Sequence, residues 1–173
     1  ALEFHDELLA EEQLWPWRAT LNQAFGALAI RKGLRILQLQ DLVPRDCSTF
    51  GTCQWWALTS CLEELEIRLW TGHVIDSGRQ SSTTAGYGKF LNRVDSNFFA
   101  SGVSITRVKL VANINEPIGG SGRVQRLTPF EYVSMPKFLH FELKNCFINN
   151  ALCRFLEEHS QQLKGISLKN CFA

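Results

Sequence analysis

One spacing recurs five times in this chain and constrains its fold more than any other feature. Apolar residues stand at relative positions 1, 4 and 6, and a ninth position turns the chain inward. Leu34, Leu37, Leu39 and Leu42 meet the pattern first, and Leu62, Leu65, Ile67 and Trp70 meet it again. Ile105, Val108, Leu110 and Asn113 form a third copy, and Phe138, Phe141, Leu143 and Cys146 a fourth. Leu163, Ile166, Leu168 and Cys171 complete the series. The starts at 34, 62, 105, 138 and 163 lie 28, 43, 33 and 25 residues apart, so the unit varies in length. Positions 4 and 6 are two apart, and their side chains leave one face of a short strand together. A unit of this kind cannot bury its apolar face alone, so stacked neighbours must supply the core.

The pattern predicts an α/β fold, a leucine-rich-repeat solenoid with irregular repeat lengths. A sequential parallel sheet lines its concave face, with strands near 34–42, 62–70, 105–113, 138–146 and 163–171, and helices cover the convex side. The repeat domain spans 34–173, and residues 1–33 supply N-terminal helices that cap or continue it. Asn113, Cys146 and Cys171 at the ninth position suit a side chain that turns in and donates to backbone groups of the bend, a structural role. Helical spacing of Leu152, Phe155, Leu156 and His159 predicts a helix after Asn149 and Asn150, with asparagine as its N-cap. Further helices are expected over 87–99 (Phe90, Leu91, Val94 and Phe98 inward) and over 17–30 (Leu21, Ala24, Phe25 and Leu28 inward, Pro16 near the start). A shorter one over 53–61 holds Trp55, Trp56 and Leu58, and 1–14 reads as an acidic amphipathic helix with Phe4, Leu8 and Leu9. The stretches 72–86 and 115–136 are rich in Ser, Thr, Gly and Pro and read as loops, the second with a short turn of structure near Phe130.

Composition narrows the function. At 173 residues, 45% hydrophobic and 20% charged, the chain matches a folded domain rather than a disordered one. No apolar run approaches the roughly 20 residues that span a bilayer, so no membrane partner is expected. The formal charge of +1 divides unevenly: Glu3, Asp6, Glu7, Glu11 and Glu12 precede any Lys or Arg. The remainder is mildly basic without dense clusters or interleaved aromatics, which argues against nucleic acid. The six cysteines form no C-x-x-C and do not join the four histidines at zinc-ligand spacing, so no metal and no other cofactor is expected. Free, mostly buried thiols and no glycosylation sequon fit a cytoplasmic or nuclear setting. The chain begins without methionine or leader and ends just past a repeat, which reads as a fragment.

No catalytic constellation emerges either. Gly119-Gly120-Ser121-Gly122-Arg123 lacks the spacing of a phosphate-binding loop, and Phe90 follows Gly88-Lys89 where Ser or Thr would hold magnesium. Ser121 is outside any nucleophile elbow. His5, His73, His140 and His159 have no carboxylate at triad spacing, and His159 near a helix end suits a cation favoured by the dipole. The chain reads as a non-enzyme.

The strand register then assigns the concave face. Between the two core positions stand Gln38, Glu66, Lys109, Glu142 and Ser167, an alternating column that would neutralise itself. The next outward column is Gln40, Arg68, Val111, Lys144 and Lys169, with three cations and no anion. The preceding one is Ile36, Glu64, Arg107, His140 and Gly165. Arg68, Arg107, Lys144 and Lys169, with His140 nearby, are therefore the candidate partner-binding residues, suited to an acidic segment of a protein target.

The wording between the repeats resembles the leucine-rich-repeat regions of fungal F-box-type proteins. Leu39 to Thr52, Leu62 to Ile67, and Thr84 to Leu91 leading into Phe98-Phe99 carry the resemblance. So do Met135 to Cys146, Phe155 to Ser160, and Leu163 to Cys171, and together they cover roughly residues 30–173. The resemblance implies the target-recruiting part of a ubiquitin-ligase substrate receptor, whose F-box grips the cullin ligase's linker subunit. The 33 residues ahead of the first repeat lack the Leu-Pro-x-Glu opening of an F-box. Linker binding is accordingly implied only if an F-box lies upstream of Ala1. The alternative is a structural or regulatory scaffold unrelated to ubiquitin ligases.

Overall fold

The computed structural model describes residues 2–70, 87–112, 114, 117–118, 120–121, 124–125, 130 and 134–172. Strands form where the repeated spacing alternates apolar and polar residues: β1 (Ile36–Leu42), β2 (Glu64–Leu69) and β3 (Arg107–Val111). A short antiparallel hairpin, β4 (Gly120–Ser121) with β5 (Val124–Gln125), precedes β6 (His140–Lys144) and β7 (Gly165–Lys169). The chain is α/β, and its main sheet is five-stranded, all parallel, in the order β1-β2-β3-β6-β7. Strands that follow one another in the chain thus lie side by side, apart from the hairpin.

Register follows the repeat. Leu37, Leu65, Val108, Phe141 and Ile166 pair in one row, and Leu39, Ile67, Leu110, Leu143 and Leu168 in another. Both rows point into a single hydrophobic core through the first four strands, although Leu39 is only partly buried. The last strand differs. Ile166 is 51% exposed and Leu168 38%, whereas the corresponding Phe141 and Leu143 are at 2% and 1%. Phe172, just beyond, is also exposed.

Asp41, Asn145 and Asn170 occupy the eighth position of their repeats and have φ of 50°, 59° and 50°. Aspartate and asparagine tolerate this left-handed backbone better than other residues with a side chain. Asp41 coincides with the register slip that pairs Leu42 with Leu69, as expected of a bulge. The expected inward donation at the ninth position is redistributed. Asn145 Nδ2, one residue earlier, donates to the Ala112 carbonyl at 2.7 Å, while the Cys146 thiol faces that of Cys171. Cys171 Sγ also reaches the Lys169 carbonyl at 3.5 Å. Asn113, His73, the loop 72–86, and Gly119, Gly122 and Arg123 lie outside the described residues.

The helices are α1 (Leu2–Leu14), α2 (Pro16–Ala29), α3 (Cys53–Cys61), α4 (Tyr87–Leu91) and α5 (Asn150–Glu158). Thr52 caps α3 by accepting from the Trp55 amide, and the Asn149 side chain caps α5 by accepting from the Leu152 amide at 3.0 Å. Pro16 opens α2, where its missing N–H costs nothing. In α2, Phe25 is buried but Ala24 is exposed, and in α3 Trp55 is buried whereas Trp56 is half exposed. The helix expected over 87–99 is interrupted: α4 ends at Leu91, and Asp95–Phe99 forms a π turn closed by Ala100 N–H to the Asp95 carbonyl at 2.8 Å. That wider turn buries Asn97, Phe98 and Phe99 in succession, which a 3.6-residue period would not do.

Rings fill the core in two groups. Phe25, Phe50, Trp55 and Phe98 interlock near the N-terminal helices, with centroids 4.8 to 5.7 Å apart. Phe130, Phe138, Phe141 and Phe155 do so beneath β6. Phe130, in the stretch read as a loop, is thus buried, as is Ile118, which bridges to Cys146.

The N-terminal helices carry buried polar groups that their amphipathic pattern conceals. Glu12 on α1 accepts from Ser48 N at 2.8 Å, Ser48 Oγ at 2.7 Å and Asn22 Nδ2 at 2.9 Å. Asn22 Oδ1 in turn accepts from the Thr49 amide and hydroxyl. Arg18, only 4% exposed, donates to the Asp46 carbonyl at 2.9 Å and pairs with Glu11 at 3.0 Å. Asp46 accepts from Asn97 Nδ2 at 2.6 Å, and the Asn97 carbonyl accepts from Trp55 Nε1. Segment 46–49 is thereby fastened to α1, α2 and the π turn together.

Candidate interaction surface

With one face of the sheet committed to the core, the opposite face presents the alternate residues of each strand. Their pairing gives three columns. Ile36, Glu64, Arg107, His140 and Gly165 form the first, and Gln38, Glu66, Lys109, Glu142 and Ser167 the second. Arg68, Val111, Lys144 and Lys169 form the third.

The middle of the second column, Glu66, Lys109 and Glu142, is an ion-pair ladder. Lys109 Nζ lies 3.6 Å from Glu66 and 3.8 Å from Glu142, and Glu142 also takes Lys169 Nζ at 3.2 Å. Arg68 Nε donates to Glu66 at 2.5 Å, and Arg107 stands 3.6 Å from Glu64. Burial alone would raise the Glu66 carboxyl, but the Arg68 hydrogen bond and the Lys109 and Arg68 charges outweigh it and hold it below the usual range.

The five residues singled out from sequence all lie on this face, yet they are not equivalent. Arg68, Arg107 and Lys169 are engaged by glutamates of the same sheet. Lys144 has no ion pair among the described residues. His140 stands over Gly165, where a Cβ would come within 3.0 Å of its Nδ1, so the absent side chain makes room for the imidazole.

A trough of about 400 Å³ follows the first two columns, and its lining includes Glu64, Arg107, Lys109, His140, Glu142 and Ser167. Arg107 and His140 thus line the concavity, whereas Arg68, Lys144 and Lys169 do not. The chain matches no protein-family model, no curated protein and no solved structure.

Sequence reasoning identified the Glu66–Lys109–Glu142 column but not Glu64 as the partner of Arg107, nor the diagonal reach of Arg68 and Lys169 into that column. The available signal was the juxtaposition of opposite charges one column apart, within reach of long side chains. The trough offers a mixed-charge, hydrogen-bonding surface. Among the described residues no group of three or more His, Cys, Asp or Glu is placed to hold a metal ion, and no helix is long and apolar enough to cross a membrane.

His159 closes the inward spacing of α5 and is buried. Its Nδ1 lies 2.8 Å from the Phe155 carbonyl, its Nε2 is 3.4 Å from the Met135 amide, and its ring sits against Phe138 and Phe155. Donation by Nδ1 and acceptance by Nε2 satisfy both contacts.

Proposed function

We propose that this chain is a noncatalytic protein-interaction module of leucine-rich-repeat solenoid type, the target-recruiting region of an F-box-type ubiquitin-ligase receptor. One observation carries the interaction reading. The exposed sheet face gathers charged and polar side chains from successive strands around a trough, while the opposite face is committed to the core. The sequential parallel order and constant apolar register support the solenoid. The ligase connection rests on the resemblance of residues 30–173 to the fungal F-box-type proteins.

The partner is a protein segment with acidic residues. It exchanges its carboxylates for those of Glu64, Glu66 and Glu142 at Arg107, Arg68 and Lys169, and meets Lys144 without displacing any sheet glutamate. Such exchange favours specificity over affinity, since each cation already has a partner.

Quantitative affinity capture with the wild type and the Lys144→Glu/Lys169→Glu variant tests this. The variant should keep its fold, checked by circular dichroism, and recover a specific target at least tenfold less than the wild type. Equal recovery would remove Lys144 and Lys169 as contacts of an acidic segment. The ligase role is tested separately, by binding of the linker subunit to the full natural polypeptide. Target capture without linker binding would favour the scaffold alternative.

A further inference from the structure

The thiols of Cys146 and Cys171 stand apart from the other cysteines. Their sulfurs are 3.1 Å apart, and the two residues occupy the same position of adjacent repeats. Phe147 and Phe172 form a parallel bridge, and the Phe172 amide donates to the Cys146 carbonyl at 2.9 Å. Cys146 and Cys171 are therefore register neighbours on adjoining strand extensions. Neighbouring strands run roughly 4.8 Å apart, inside the Cα separation that a disulfide spans. Cys47 is buried, and Cys53, Cys61 and Cys153 are exposed; none of these four has another cysteine sulfur in contact.

We propose that Cys146 and Cys171 are an oxidative modification site, closed by a disulfide oxidant such as oxidised glutathione into a cross-link between the β6 and β7 units. Cys171 is partly exposed and Cys146 buried, so the order of steps is set by access. The Cys171 thiolate attacks oxidised glutathione, forming a mixed disulfide and releasing one glutathione. Cys146, deprotonated, then attacks Cys171 Sγ and expels the second glutathione. Two protein thiols become one disulfide, and the two electrons and two protons pass to two glutathione thiols. Burial, with Cys171 beside it, pushes the Cys146 thiol up to about 12, so the second step is the slow one despite the short distance.

The cross-link would act where the sheet is least covered. Among the described residues β7 has only β6 as a strand neighbour, and its Ile166 and Leu168 are exposed. A bond from Cys171 to Cys146 pins this strand to the better-packed β6.

The test incubates the folded chain with oxidised glutathione, alkylates the remaining thiols under denaturing conditions, and maps the peptides by mass spectrometry without reduction. A parallel sample carries Cys53→Ser, Cys61→Ser and Cys153→Ser. Expected are a peptide linking Cys146 to Cys171, the loss of two titratable thiols in the triple variant, and a higher Tm that reverts on reduction. Cys171→Ser should abolish the link and the Tm rise. Cys171 left as a glutathione adduct beside an alkylated Cys146 would overturn the proposal, as would links confined to other cysteines. Mapping of the wild type decides the matter even if the triple variant fails to fold.

Discussion

Lys144 and Asp46 illustrate how much a single residue's meaning depends on its neighbours. Both are charged residues beside a strand or loop in the sequence, yet Lys144 lies on the exposed face without an ion pair among the described residues, and Asp46 is buried. Burial is the largest influence on Asp46 and raises its carboxyl; the Asn97 hydrogen bond and the charges of Arg93, Arg18 and Lys89 lower it without prevailing. A carboxyl raised by folding binds its proton more readily in the folded chain. Its contribution therefore declines as pH rises from the ordinary value of 3.8 through the folded value. Asp46→Asn should lose less stability than the wild type as pH rises above the ordinary carboxyl value of 3.8, measured by urea unfolding. An equal or steeper loss would show that Asp46 is not a source of that dependence. Residues such as Asp46, Glu12 and Arg18 were not legible as buried, because their partners come from segments distant in the chain. Asn22, Ser48 and Asn97 are polar residues that sequence periodicity assigns to no face.

Elements were more legible than residues. The strands follow from apolar spacing because alternation fixes which side chains share a face, and that depends on backbone geometry alone. The outward columns follow for the same reason. Which cations are engaged does not, since Arg68 and Lys169 reach glutamates of the neighbouring column through their own rotamers. The interrupted helix shows another limit: the π turn buries the run Asn97, Phe98 and Phe99, whereas the sequence spacing assigned only Phe98 of these three to the core. At α5 the cap predicted from sequence is present, so Asn149→Ala should cost about 1 kcal/mol in unfolding free energy and Asn149→Ser should recover most of it. Between β3 and β6, the Phe130 ring lies 5.8 Å from Phe99 and 5.1 Å from both Phe141 and Phe155. Phe130→Ala should cost about 3–5 kcal/mol in denaturant titration. A loss below about 1 kcal/mol would mean that the ring is not part of the cooperative core.

Across the whole molecule, packing is graded from one end to the other. Glu12, Asn22, Arg18 and Asp46 fasten the N-terminal helices to segment 46–49, and one core takes in the aromatic groups with β1, β2, β3 and β6. Coverage declines at β7. Hydrogen–deuterium exchange should accordingly be slowest in β2 and β3 and fastest in β7 among the main strands. Uniform protection across the sheet would contradict this gradient, and disulfide closure should reduce it. The sheet order was readable from the repeat, but this gradient was not, because Ile166 and Leu168 satisfy the same spacing as their buried counterparts. Their surroundings differ, not their pattern.

The exposed end of the sheet also bears on colloidal behaviour. Ile166, Leu168 and Phe172 offer water an apolar margin beside the edge of β7. Such a margin is a front for lateral accretion when the protein is concentrated. Lys169 stands on that same edge strand and brings the hydrated charge that discourages unwanted pairing, while its contact with Glu142 keeps the deterrent in place. The residue that closes the ladder from within thus also guards the solubility of the chain from without.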